Sequence, residues 1–578
     1  MASITGKPNL FFVTSPRTPN KMVEELQLLV TNHGGGKWDK TVQKAFANDL
    51  SDADFFEGKL KKDDDFGARD RITRAPKALG LIQLKPTIEL TDAGELFVNG
   101  KRPHEIFTRQ LMKFQLPSPF HVDKKGDFFI KPYLELLRLI YELDGITKSE
   151  IAIFFIGCIN IDKYEEIKQQ IIDYRARKRS YDRSRISYPR FITEEMNRQL
   201  LSIYNDQIST GKIKIRENLE SADLKKFLRT KGRNHYDYAD AAIRYLRNTM
   251  LVTLEARTYK VIIPSEKLKE VEFLLHNIKR EPLTFKTEKE YQNYLFDASI
   301  PTLFTDNKPM LIEEIKHFKH VDKSIDIDSV IASNNIENLK DMRDKLIALK
   351  VDEVVNDQVA NLQTYNQFGD IQNVYSDILS NNVIDRPLFF EWNTWRGFTM
   401  LDDGNITGNF RVDDNGMPLS TASGNQPDIL CEYDDFDMLV EVTLSSGARQ
   451  YEMEGEPVAR HVGSQQKSSG RETYCIFIAP NLNPATIAHF YLLHKSKIAY
   501  YGGNTKIIPM SLEDYQEMLR VAYEAKEKPT SNNLKNFLEK HSNNAIQLED
   551  EEQWYQQIKN SIPYWLDINN NALGEITH

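Results

Sequence analysis

Asp428 directly follows Pro427, and Glu441 stands thirteen residues later within an apolar run; Glu391 precedes them among aromatic residues and Glu454 follows. The segments "DILCEY" and "MLVEVTL" flank the polar turn "DDFD", so each reads as one strand of a hairpin. Alternate residues of a strand share a face, and residues opposite one another on paired strands stand on the same side, so Asp428 and Glu441 can converge. Convergent carboxylates repel, and a divalent cation relieves that repulsion; Mg²⁺ takes one or two carboxylates and completes its shell with waters and phosphate oxygens. Such an ion would acidify a water for in-line attack on a phosphodiester and stabilise charge on the leaving oxygen. On this reading Asp428 and Glu441 are direct ligands, while Glu391 and Glu454 hold a second ion or orient the water. A plainer reading of the same residues has Asp428 capping a turn and Glu441 at an exposed strand position.

The elements that must position these acids alternate between helix and strand from about residue 387 onward. "LFFEWNTWRGF" reads as an amphipathic helix carrying Glu391, and "NFRVDDNGMPL" as a β pair. "ARQYEMEGEPVARHVG" begins as a helix with Glu454, although Gly455 and Pro457 obscure its register. The strands "TYCIFIAP" and "TKIIPMS" and the helices "PATIAHFYLLHKSK" and "LEDYQEMLRVAYEAKEK" complete a mixed α/β core.

The N-terminal half carries a different pattern. "TPNKMVEELQLLV" and "DKTVQKAFANDL" have helical apolar spacing, and Arg69, Arg71 and Arg74 then fall on a short helix before "LGLIQL" and a hairpin ending in "LTDAGE". That order is the order of a winged helix, whose second helix can enter a major groove. It recurs with a helix from about Asp237 to Asn248 and two β-rich runs, for which Arg233, Asn234, Arg244 and Arg247 are the exposed candidates. Winged helices also serve as docking or spacer units, and that reading stays open. Residues 300 to 385 are rich in Asn, Asp and helix formers and read as a helical connector that can set the distance between two active surfaces. His317 and His320 in this stretch read as surface histidines.

Composition narrows the classes. A chain of 578 residues is too long for one core, so three or four units are expected. No apolar run is long enough to span a bilayer, and the N-terminus has neither an export nor an organelle signal, which points to the cytoplasm. Cys158, Cys431 and Cys475 lie apart in apolar stretches and are expected in the core. The net charge of −9 hides local asymmetry: residues 175 to 190 carry seven basic side chains against the single acid Asp182, which suits phosphate contact, and the acidic stretch 549 to 578 reads as a solvated tail. "GGGKWDK" lacks the spacing of a phosphate-binding loop, and no metalloprotease, esterase or dinucleotide motif is present.

The Pro427-Asp428 and Glu441-Val442-Thr443 segments resemble the PD-(D/E)XK nuclease motif. More specifically, "FEW" with "GF" (390 to 398), "GNQPD" (424 to 428), "EVT" (441 to 443), "EGEPVARH" (454 to 461) and "FIAP" (477 to 480) together resemble the AlwI-type (type IIS) restriction endonucleases and the large subunits of nicking endonucleases. "SPRTP" (15 to 19), which contains Arg17, "ARDRI" (68 to 72), "LTDAGELF" and "RNHYDYADAAIRYLRNT" (233 to 249) resemble that family's recognition segments. The resemblance implies catalytic acids at Asp428, Glu441, Glu454 and Glu391, Mg²⁺ ligands at Asp428, Glu441, Glu391 and Val442, and DNA contacts at Arg17, Arg69, Arg71, Arg74, Arg233, Asn234, Arg244 and Arg247. One departure is plain: many enzymes with the broad motif have lysine two residues after the Glu, and here the residue is Thr443. Glu454, a lysine elsewhere such as Lys467, or the metal alone are the candidates to replace it.

The fold class expected is therefore multidomain: α+β winged-helix recognition units at 1–112 and 113–300, a helical linker at 301–386 and an α/β PD-(D/E)XK-like nuclease domain at 387–578. The partners implied are double-stranded DNA, a second copy of the chain or a smaller nuclease subunit, and a cognate DNA methyltransferase, with no membrane. The competing class is a winged-helix DNA-binding regulator that has lost its nuclease activity; a nuclease acting on RNA or structured DNA is a third.

Overall fold

The computed structural model describes residues 2–53, 55–56, 65–181, 188–211, 213–215, 223–318, 326–333, 335–401, 404–422 and 426–568. The chain is rich in helix, carries one mixed sheet of five strands, and separates into two compact units: residues 1–53, 58–350 and 413–417 form one, and 54–57, 351–412 and 418–578 the other.

In the first unit, apolar residues at helical spacing bury one face of each early helix. Met22, Leu26 and Leu29 do so on Lys21–His33, and Phe46, Ala47 and Leu50 on Lys40–Asp52, where the Asp39 carboxylate caps the N-terminus by accepting from the Thr41 and Val42 N–H groups. The helix Asp65–Arg74 is followed by a short antiparallel pair, Ile82–Gln83 with Glu89–Leu90. The hairpin ends at Leu90, at the start of the "LTDAGE" segment as expected, and the rest of that segment goes on to start a helix, Asp92–Asn99. The Thr91 side chain accepts from the Gly94 N–H at 3.0 Å and donates to the Gly80 carbonyl at 2.6 Å. A Cβ at Gly94 would lie 1.8 Å from the Leu81 carbonyl oxygen, so only glycine fits that turn. The second basic helix starts well before Asp237, at Leu224, because Asp223 caps it through the Lys226 N–H; it runs to Arg247 and precedes the antiparallel pair Thr253–Leu254 and Val261–Ile262. Residues 308 to 346 contribute their own core of Leu311, Ile315, Phe318, Ile327, Leu339 and Leu346. Beside it, buried Lys340 donates to Glu105 and Asp306, each at 2.8 Å.

The second unit is built on the sheet. Its strand order is Lys506–Ser511, Glu472–Ala479, Phe436–Val442, Ile429–Glu432, Asn405–Gly408; the first three are mutually parallel, and Ile429–Glu432 is antiparallel to both of its neighbours. Phe436–Val442 and Glu472–Ala479 are buried along nearly their whole length, as strands covered on both faces must be. Two expectations need correction here, one at each end of the unit. The helix Arg386–Leu401 is buried at every residue from Leu388 to Leu401 rather than amphipathic, and two of its polar side chains are hydrogen-bonded inside: Asn393 donates to the Ile371 carbonyl at 2.9 Å and Arg396 to Asp370 at 2.6 Å. The helix expected around Glu454 is present as Ala448–Ser469 and passes through Pro457 unbroken, at the loss of one backbone donor. Residues 551 to 567 are not a solvated tail: Trp554 and Trp565 are fully buried, and their indole N–H groups donate to the His541 and Met518 carbonyls. On Glu551–Ser561, charged Glu552 and Lys559 are exposed while Trp554 and Ile558 are buried.

All three cysteines are buried, as expected. Among the described residues no helix is long and apolar enough to cross a membrane.

Candidate active site

Asp428 immediately precedes the strand Ile429–Glu432, whose register pairs Ile429 with Val440; continuing it by one residue sets Asp428 opposite Glu441. The Asn409 N–H donates to the Asp428 carbonyl at 3.0 Å, which extends the sheet to this position. Cross-strand partners face the same side, and the Val442 N–H fixes the Asp428 carboxylate at 2.8 Å. Glu441 is 7% exposed, which overturns the plainer reading of an exposed strand position. Asp428 keeps some residue surface in solvent, while protein crowds its carboxyl.

The electrostatics follow from this crowding. Burial raises the Asp428 carboxyl well above the usual carboxylate range, the Glu441 charge pushes it further, and the Val442 N–H opposes both. Burial likewise raises Glu441, and Glu454 adds to the effect. Asp428, Glu441 and Glu454 thus act on one another. Glu454 comes from the helix Ala448–Ser469 and accepts a 2.6 Å hydrogen bond from the Thr443 hydroxyl. Glu391, on Arg386–Leu401, is buried, and its carboxylate accepts from the Ala422 N–H at 3.2 Å, a contact with a different segment from those that tie the first three together.

A further group is His461, quoted above within "EGEPVARH" but given no role. It follows Glu454 by two helical turns, which is the signal that could have found it, and its Nδ1 lies 2.7 Å from Glu441 Oε1. Burial lowers the pKa of the imidazole, and Arg460 lowers it further.

Among the described residues, no group of three or more His, Cys, Asp or Glu side chains is gathered into a ready cage for a metal ion. The arrangement offers instead two adjacent buried carboxylates, each destabilising its neighbour's charge or destabilised by another acid, and Mg²⁺ requires no more protein carboxylates than that. The donor set therefore fits the ion. Val442 has an aliphatic side chain and can offer only its carbonyl oxygen. Lys467, weighed as a substitute for the missing lysine, donates to the Tyr500 carbonyl at 2.8 Å.

The candidate DNA-contacting residues lie in the first unit and differ in exposure. Arg69, Arg233 and Asn234 are exposed, and so is Arg17, which reaches Asp237 at 3.3 Å. Arg71 is bonded to buried Glu25, Arg74 to Asp70 and Thr14, and Arg244 to Asp240. Arg247 is buried, not exposed as its helical position suggested; its guanidinium lies 2.9 Å from the carboxylate of buried Asp413, a residue of the same unit. In the basic run, Arg175 is committed to Glu150 and to the Leu143 and Gly145 carbonyls. Residues 182 to 187, His320, Gly424 and Asn425 lie outside the described residues.

Residues 77–518 match the AlwI restriction endonuclease family, and the chain belongs to that family, which supports a DNA endonuclease. Among solved structures, the small subunit (R.BspD6I2) of the heterodimeric restriction endonuclease R.BspD6I is 28% identical, covering 33% of this chain and 98% of that one with a TM-score of 0.30. The BpuJ1 endonuclease binding domain, solved in complex with pyrene- and phenanthrene-modified DNA, is 14% identical, covering 48% and 92% with a TM-score of 0.32. No curated protein matches the chain.

Proposed function

We propose that this chain is a Mg²⁺-dependent type IIS endonuclease: it reads a short asymmetric duplex site and hydrolyses a phosphodiester a few base pairs away. The observation that carries this reading is the pairing of Asp428 with Glu441 on adjacent strands, each carboxyl raised by burial and by a neighbouring acid. On this proposal residues 387–578 are a PD-(D/E)XK-like nuclease domain, 1–112 and 113–300 are winged-helix recognition units, and 301–386 link them. Asp428 and Glu441, with Glu391 and the Val442 carbonyl, are the groups to hold Mg²⁺, and the bound ion supplies Lewis acidity toward the phosphate and its nucleophile.

The chain's own residues do the rest. The Val442 N–H holds the Asp428 carboxylate in place, His461 holds Glu441, and Glu454 orients the attacking water by accepting its hydrogen bond. Exposed Arg69, Arg233, Asn234 and Arg17 are the groups to contact DNA, with Arg74, Arg244 and Arg71 partly committed to acids. One nuclease domain cuts one strand, so the chain acts as a strand-specific nickase, or as a double-strand cutter with a second copy or a smaller subunit. Its host DNA would be protected by a cognate methyltransferase.

Supercoiled plasmid incubated with the full chain and Mg²⁺ tests the proposal: open circles mean nicking and linear product means double-strand cutting. Asp428→Ala should abolish both and leave DNA binding intact. Protein that shifts DNA in a gel but cuts it with neither Mg²⁺ nor Mn²⁺ would favour a binding regulator.

A further inference from the structure

Thr443 stands where the broad nuclease motif places a lysine, and the structure gives its side chain a defined task. Glu441 and Thr443 are two residues apart at the end of one strand and share a face. The Thr443 N–H continues the sheet by donating to the Ile478 carbonyl at 3.0 Å, so the backbone at this position is fixed. Thr443 is 7% exposed, and its hydroxyl is held from two directions. Its oxygen accepts from the Ser445 N–H at 3.0 Å and donates its proton to Glu454 Oε1 at 2.6 Å. A hydroxyl has one proton, and the Ser445 N–H orients the oxygen so that this proton points at the carboxylate. Glu454 lies on a helix and Thr443 at a strand end, so this bond is a direct tie between the two elements that carry the acids.

We infer that Thr443 is a positioning residue for hydrolysis: its hydroxyl locks Glu454 beside Asp428 and Glu441, so that the site works with a third carboxylate where related motifs place a cation. A carboxylate cannot neutralise phosphate charge as an ammonium would, so Glu454 serves by directing a nucleophile, and its aim depends on the Thr443 bond. The inference rests on the nuclease reading above and adds to it the task of the residue in the lysine position.

The test uses the full chain in single-turnover cleavage of plasmid carrying its mapped site. Thr443→Val keeps the shape and removes the hydroxyl; Thr443→Ser keeps the hydroxyl. Loss of one hydrogen bond to a charged group should slow the valine variant by about tenfold to a hundredfold. The serine variant should stay within about threefold of wild type, and DNA affinity should not change in either. Because Thr443 acts through Glu454, the slow rate of Glu454→Gln should not fall further when Thr443→Val is added, a coupling that a merely structural role would not produce. Valine at the wild-type rate, or losses that multiply in the double variant, would overturn the inference. Should the valine variant lose its cooperative melting, Thr443→Ala against Thr443→Ser decides: serine fast and alanine slow supports it, and serine as slow as alanine overturns it. Wild type that cuts while Asp428→Ala does not keeps the nuclease reading intact whatever the Thr443 variants do; wild type that never cuts removes both.

Discussion

Replacing Asp428 with asparagine separates a charge effect from a shape effect. The asparagine oxygen can still accept the Val442 N–H that fixes Asp428 at 2.8 Å, so the substitution removes the charge and little else. The metal-free chain holds this carboxyl in a crowded site beside Glu441 and Glu454, and burial and both charges raise its pKa. Single stabilising substitutions commonly yield about 0.5–2 kcal/mol, and removal of a charge repelled by its neighbours falls among them. For a unit of this size that corresponds to a rise in melting temperature of about 1–8 °C, measured in EDTA at neutral pH. The pH dependence has a definite sign. A carboxyl raised in the folded state is deprotonated first in the unfolded chain, so the wild-type native state loses stability as pH climbs above the ordinary carboxylate range. The advantage of the asparagine variant should therefore vanish near pH ~4 and grow above it. Added Mg²⁺ should reverse the order: at a hundred times its dissociation constant an ion stabilises its site by about 2.7 kcal/mol, and only the wild type should gain this. A variant that melts lower than wild type in EDTA, or that gains as much from Mg²⁺, would refute the reasoning.

Arg247→Ala should cost about 3–5 kcal/mol by leaving buried Asp413 without its guanidinium, read as lowered thermal stability rather than altered site preference. Arg233→Ala, at an exposed position, should leave stability unchanged, weaken DNA binding and reduce its salt dependence. Trp554→Ala should cost about 3–5 kcal/mol in chemical denaturation, because the indole is fully buried and donates to the His541 carbonyl; a neutral result would return residues 551 to 567 to a solvated tail.

The local code for the acid pair was legible because it rests on short-range rules. A polar turn between two apolar runs makes a hairpin, and the hairpin's register decides that Asp428 meets Glu441. The helix Pro484–Lys495 was legible for the same reason, within the stretch "PATIAHFYLLHKSK". Where sequence patterns misled, tertiary packing had outweighed them. Arg386–Leu401 has the polar residues of a half-exposed helix, yet Asn393 and Arg396 satisfy theirs inside, and no periodicity reports a buried hydrogen bond. Arg247 occupies a basic helix end that looks solvated, and its partner Asp413 lies far along the chain. The dense charge of residues 549 to 552 masked Trp554 and Trp565, whose spacing was the better guide to burial. The tasks of Thr443 and His461 depend on which side of the Ala448–Ser469 helix meets the sheet, and Pro457 made that face unreadable from pattern alone.

The most direct test of the central claim is to grow crystals of the full chain with Mn²⁺ and cognate DNA and record anomalous scattering at the manganese edge. The account predicts a manganese peak in contact with the carboxylates of Asp428 and Glu441. Manganese bound at other side chains beside the DNA, with this pair left untouched, would contradict it.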